Sequence, residues 1–245
     1  MIKPDTPSFN NATLMMQSHS FQVPFQGETL YAESTSGRNG HILMLHGGGK
    51  DRTIFHKYRV MLDASGFGTT IFDFLGHGET GGDIHNSSLF SRTQQAKAVM
   101  DFQGQIYTGC VGVSMGAYNA IQLSKVVPLR SLILMVPGVY ATSAYPVKFG
   151  PDFSAIIRQD RSWEATDAWA IAAEFTGDLL VIAAENDAII PAEIPNKLVS
   201  SATRACRKKL LTIPGAGHNS IWEQLMHSRD RYESVRAAFE RCLAR

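Results

Sequence analysis

The chain has few cysteines, almost no excess charge of either sign and no long apolar run, and each shortage removes a class of protein. Its three cysteines, Cys110, Cys206 and Cys242, are odd in number, far apart, and belong to no C-x-x-C or Cys/His cluster. Neither a disulfide framework nor a zinc site fits that spacing, and a reducing, cytoplasmic compartment is the expectation. Lysine and arginine total 23 against 22 for aspartate and glutamate. A net charge of +1 gives no basic surface with which to hold nucleic acid or another polyanion. No stretch approaches the roughly 18 uncharged apolar residues of a bilayer span, so no membrane partner is expected. The first twenty residues mix Pro4, Pro7, Asn10, Asn11 and Gln17 with a short apolar Leu14-Met15-Met16, too little for the core of a signal peptide. Residues 1–18 read as a loosely ordered extension with little to bury, or as a cover for a sheet edge.

What is present is a core. Hydrophobic residues make up 44% of the 245, enough for a single α/β domain over residues 19–245. Phe21 to Phe25 and Thr29 to Glu33 read as a hairpin turning at Gly27. His41 to Leu45 is an apolar strand stopped by His46-Gly47-Gly48-Gly49. Ile54, Phe55, Tyr58, Met61 and Leu62 recur at helical spacing, with Gly66 as a C-cap. Strand, helix and strand then follow in turn: Thr69 to Phe74, Ser91 to Phe102, Ile106 to Val113, a helix from Ala117, and Leu132 to Val136. The segment from about 140 to 176 holds two short helical stretches and is the place for a lid. Strands from Leu179 and Lys209, a helix from Ile194 and one terminal helix complete the alternation, which predicts a mainly parallel sheet with helices on both faces.

The residues that carry chemistry cluster at strand ends. Gly112-Val113-Ser114-Met115-Gly116 joins a buried strand to a helix as G-x-S-x-G, a sharp turn that exposes the hydroxyl of Ser114 as a nucleophile. The backbone N–H of Met115, at the helix start, points where a tetrahedral oxyanion would form. Of eight histidines, His218 is the best base, because it follows a strand in a glycine loop downstream of an acid. Asp187 is the favoured acid and Glu185 its rival, while Asp178 sits at the wrong end of its strand. His46 and His77 precede the serine between glycine-bearing turns and read as structural. His19, His41, His56, His85 and His227 lie in no motif and read as solvated or incidental. Lys50 and Asp51, directly after the first glycine loop, could contact substrate, but charged residues in a surface loop are more often solvated, and they are left out of the site.

Four segments together resemble the α/β-hydrolase superfamily, in its group of esterases, monoacylglycerol-lipase-like enzymes and serine aminopeptidase-like proteins. They are His46-Gly47-Gly48-Gly49, Asp73-Phe74-Leu75-Gly76-His77-Gly78, the serine turn, and Glu185-Asn186-Asp187 through Pro191 with His218. The resemblance spans about Phe21 to Arg245 and implies the α/β-hydrolase fold, with about eight strands, flanking helices and a small cap. It implies Gly48, with Gly47 as fallback, as the second oxyanion donor. It also implies a small-molecule acyl substrate cleaved through an acyl-enzyme on Ser114, with no metal and no cofactor. The short segment at 140–176 departs from relatives with larger caps and predicts an open acyl pocket. Acyl transfer, peptidase action and ligand binding without turnover remain open alternatives on the same fold.

Overall fold

The computed structural model describes residues 17–244. Most of the extension read at residues 1–18 therefore lies outside the described residues, and Ser18 already pairs in the first strand. Strands β1 (Ser18–Phe25) and β2 (Glu28–Thr35) form the expected hairpin. It turns through Gln26 and Gly27, at φ 49° and 87°, the left-handed pair that a two-residue hairpin turn requires.

Beyond the hairpin come β3 (His41–Leu45), α1 (His56–Ala64), β4 (Gly68–Phe72), α2 (Leu89–Gln103), β5 (Tyr107–Val113), α3 (Met115–Leu123) and β6 (Ser131–Met135). After them run α4 (Pro151–Ile157), α5 (Ala168–Glu174), β7 (Asp178–Ala184), α6 (Glu193–Ser201), β8 (Arg207–Ile213), α7 (Ile221–Met226) and α8 (Arg229–Leu243). The eight strands form one sheet in the order β1-β2-β4-β3-β5-β6-β7-β8. The pairs β1/β2 and β2/β4 are antiparallel and the rest parallel.

The buried strands alternate between two cores. Leu43, Leu45, Cys110, Leu132, Leu134 and Val181 face α2, α3 and α6, whereas Ile42, Met44, Val111, Ile133, Leu180 and Ile182 face α1 and α8. Such double coverage is why these strands read as unbroken apolar runs. One expectation is corrected. The expected terminal helix is two helices, because the Ser228 hydroxyl accepts from Arg231 N–H and starts α8 afresh. The segment between β6 and β7 packs down on α3. Tyr118 Oη and Gln122 Nε2 both donate to Asp167 Oδ1, at 2.8 and 2.7 Å, and Phe149 and Phe153 enter the core. Among the described residues, no helix is long and apolar enough to cross a membrane.

His41, read as solvated or incidental, is 5% exposed and bonds Thr70 Oγ1 at 2.7 Å. Burial, reinforced by the Arg59 charge, pulls its imidazole down to about 4. The unfolded chain therefore binds a proton that the folded chain refuses, so stability is complete above the ordinary value near 6.5 and declines as pH falls from there toward 4. By pH 5 His41 alone should remove about 2 kcal/mol from the unfolding free energy. Urea titrations at pH 7 and 5 should show the loss, and it should shrink in His41→Asn.

Candidate active site

The sheet order reverses between β3 and β5, and ligand sites in parallel sheets form beyond the strand ends at such a switch point. Ser114 follows β5 with φ 53° and ψ −115°, a positive-φ conformation that costs a non-glycine residue on the order of 1–3 kcal/mol. Surrounding contacts hold it there. Its N–H donates to Met135 O at 2.9 Å, and its carbonyl accepts from Ala117 N–H at 3.0 Å and Gly138 N–H at 3.2 Å. The motif glycines let the backbones close up: a Cβ on Gly116 would lie 2.1 Å from Leu45 O, and one on Gly112 would lie 2.4 Å from Gly116 O.

The structure brings Ser114, His218 and Asp187 together from three separate loops. His218 Nε2 lies 3.0 Å from Ser114 Oγ and its Nδ1 lies 2.9 Å from Asp187 Oδ2. The other carboxylate oxygen of Asp187 accepts from the Ile189 and Ile190 N–H groups, both at 2.9 Å, which fixes its orientation. Glu185 turns elsewhere and accepts from Gly215 N–H at 2.8 Å. The side chains of His218 and Asp187 are 11% and 7% exposed, so their pairing is shielded from bulk water.

The glycine loop after β3 lies over this turn. A Cβ on Gly47 would sit 3.2 Å from Ser114 Cβ, and one on Gly48 would sit 3.4 Å from the Met115 side chain. Two buried groups anchor the loop from behind. His46 Nδ1 donates to Gly47 O at 2.8 Å while its Nε2 accepts from Phe74 N–H at 3.1 Å. That pattern needs one neutral tautomer, and burial with the Arg92 charge holds His46 well below the usual histidine range. Since the peptide is planar and trans, a Gly47 carbonyl drawn onto the buried ring turns the Gly48 N–H the opposite way, off that ring.

Arg92, 1% exposed, is the second anchor. It donates through Nη2 to His46 O and through Nε to Asn119 Oδ1 at 3.1 Å, and stacks 3.7 Å over the Phe74 ring. Burial pulls its guanidinium down to about 9, still protonated at neutral pH. Sequence reading passed over Arg92, yet a signal existed: it falls on the stripe of Leu89, Ala96 and Val99, the buried face of α2. The Asp73 segment is structural. Asp73 accepts from Arg52 N–H at 2.7 Å, from the Arg52 guanidinium at 2.5 Å and from Glu79 N–H at 2.8 Å, tying β4 to the start of α1.

A cavity of about 670 Å³ opens beside Ser114. Its walls are the glycine loop, Ile54 and Tyr58 near α1, Val136 after β6, and Ile221 and Trp222 of α7. The 140–176 segment, the expected place for a lid, contributes only Tyr140. Lys50 and His56, exposed as expected, also border the cavity, together with Lys57. Among the described residues, no group of three His, Cys, Asp or Glu side chains could hold a metal ion.

Known proteins share this arrangement of elements. Residues 42–180 match the model of the alpha/beta hydrolase family. The chain belongs to that family. An uncharacterised protein of Mycobacterium tuberculosis is similar to this alpha/beta hydrolase at 26% identity over 212 residues, covering 84% of this chain and 72% of the relative. An esterase from Exiguobacterium antarcticum superposes with TM-score 0.70 at 15% identity, over 90% of this chain and 99% of that one. Est1E from Butyrivibrio proteoclasticus, solved with ferulic acid bound, gives 0.70 at 18% identity, over 92% and 100%. A monoacylglycerol lipase from Paleococcus ferrophilus gives 0.67 at 17% identity, over 88% and 98%. At such identities these structures establish a common fold.

Two substitutions test how this alpha/beta hydrolase holds its site. Gly116→Ala places a methyl group against the backbone carbonyls of Leu45 and His46, and should cost about 1–3 kcal/mol of stability, read by urea unfolding. Arg92→Met leaves the buried His46 carbonyl without its donor and should cost about 1–3 kcal/mol. Thermal unfolding near the wild-type temperature would refute that role for Arg92.

Proposed function

We propose that this alpha/beta hydrolase is a serine hydrolase of small or medium acyl esters or thioesters. The observation that carries this reading is the bridging imidazole of His218, at 3.0 Å from Ser114 Oγ and 2.9 Å from Asp187 Oδ2. With Nδ1–H donating to the carboxylate, Nε2 is left as the acceptor for the serine proton. As His218 takes that proton, Ser114 Oγ bonds to the acyl carbon and the carbonyl oxygen gains charge. The Met115 amide at the start of α3 and the Gly48 amide are suited to receive it, the latter because the Gly47 carbonyl is held on His46. His218 then protonates the departing alkoxide or thiolate, leaving an acyl-enzyme. Water, deprotonated by His218, attacks the acyl carbon; the Ser114 bond breaks and the serine regains its proton.

The open cavity and its apolar walls support an acyl substrate of modest size. Two structural neighbours whose names are esterase and monoacylglycerol lipase agree in kind with that reading. A fluorophosphonate probe should label the wild type and not Ser114→Ala, and p-nitrophenyl esters of graded chain length should be turned over. Replacing His218 should lower turnover on the order of 10³-fold or more, nearly as much as losing the serine, because the two act as a unit. Labelling that persists in Ser114→Ala would sink the nucleophile, and near-normal turnover in Asp187→Asn would sink that acid. Binding of acyl compounds without turnover would favour a ligand-binding protein, and acyl transfer to added alcohols or amines in preference to water would favour a transferase.

A further inference from the structure

The charges on the cavity wall are unequally matched. Lys50 and Lys57 both border the cavity that holds Ser114, and neither forms an ion pair among the described residues. The carboxylates of the adjoining segments are already engaged. Glu33 accepts from Arg52 and Arg59 at 2.7 and 2.9 Å, while Asp73 and Glu79 both bond Arg52. Asp51 accepts the N–H and hydroxyl of Thr53 and so caps the helical turn between the two lysines. Glu223, on α7, is the acid on the cavity wall; its field acts on Tyr58, and it is not paired with either lysine. The same cavity is lined by the apolar side chains of Ile54 and Trp222 and by the ring of Tyr58.

A cavity lined by a glycine loop beside Ser114, by apolar side chains and by ammonium groups without ion pairs suits a ligand of the same three parts. We propose that the cavity takes an ester or thioester whose apolar body ends in an anionic group, a carboxylate or phosphate, received by Lys50 and Lys57. Ammonium groups recognise either anion as point charges, so both belong to the class. The inference rests on the hydrolase reading only for which carbonyl is attacked; the anionic recognition stands on the cavity itself.

The test pairs neutral and charged esters. Mono-p-nitrophenyl glutarate against p-nitrophenyl butyrate places a carboxylate on the acyl side. The butyrate ester of 4-hydroxyphenyl phosphate against phenyl butyrate places a phosphate on the alcohol side. In Lys50→Gln/Lys57→Gln, kcat/KM for at least one charged ester should fall about tenfold further than for its neutral partner, as two exposed ion pairs of ordinary strength would give. Added salt should erase the difference. In Ser114→Ala protein, which keeps the walls, monomethyl glutarate or butyl phosphate should bind more tightly than methyl butyrate, and the lysine changes should abolish that margin. Equal losses for charged and neutral ligands in both assays, or no preference for either anion in Ser114→Ala, would overturn the proposal. Failure of the hydrolase reading is separate: it would appear as absent fluorophosphonate labelling with the anion preference intact.

Discussion

The positive-φ backbone of Ser114 is the constraint on which the rest of the site depends. A serine in that conformation is unfavourable by itself, and it persists because β5, α3 and the loop after β3 meet too closely to allow another path. Gly112 and Gly116 make that approach possible, since a methyl group at either would strike a backbone carbonyl. The same contact that bends the serine outward presses α3 against the end of β3, so Ser114 and the glycine loop are placed by a single packing event. The loops that follow β7 and β8 then bring Asp187 and His218 together, with His218 in hydrogen-bond reach of Ser114.

Behind this surface the protein uses charge and neutrality in complementary ways. Arg92 is a buried cation that no carboxylate among the described residues bonds, held by a carbonyl, an amide oxygen and the face of Phe74. Its positive field helps keep His46 neutral, and a neutral His46 is what can both donate to Gly47 and accept from Phe74. Glycine loop, imidazole and guanidinium thus form a chain of dependence, each group setting the state of the next.

The architecture was legible in the sequence because its signals are local. Apolar runs of strand length, helical spacing in α1 and α2, and glycines at turns each report a neighbourhood of a few residues, and the sheet follows from their alternation. The four strand-end segments were legible for the same reason. What the sequence concealed depends on tertiary direction. Nothing in the residues at 140–176 says that they pack on α3 instead of over the strand ends; Asp167 and the two aromatics Phe149 and Phe153 decide it by finding partners far away in the chain. Lys50 and His41 are polar residues of unremarkable context, and only the fold sends one to a cavity wall and the other into a buried threonine cluster. Ser228 begins a new helix where a single terminal helix was expected, because its hydroxyl caps α8.

The placement of the 140–176 segment bears on how the protein would meet a ligand. Its helices are committed to the core by Phe149, Phe153 and Ala168, and the elements that border the cavity are themselves secured, α1 by the Arg52 cluster and α7 through the contact of Trp222 with Tyr58 at 4.7 Å. A site walled by anchored elements is assembled before anything enters it. Discrimination between ligands would then fall to the chemistry of those walls, set by residues that the core already holds in place.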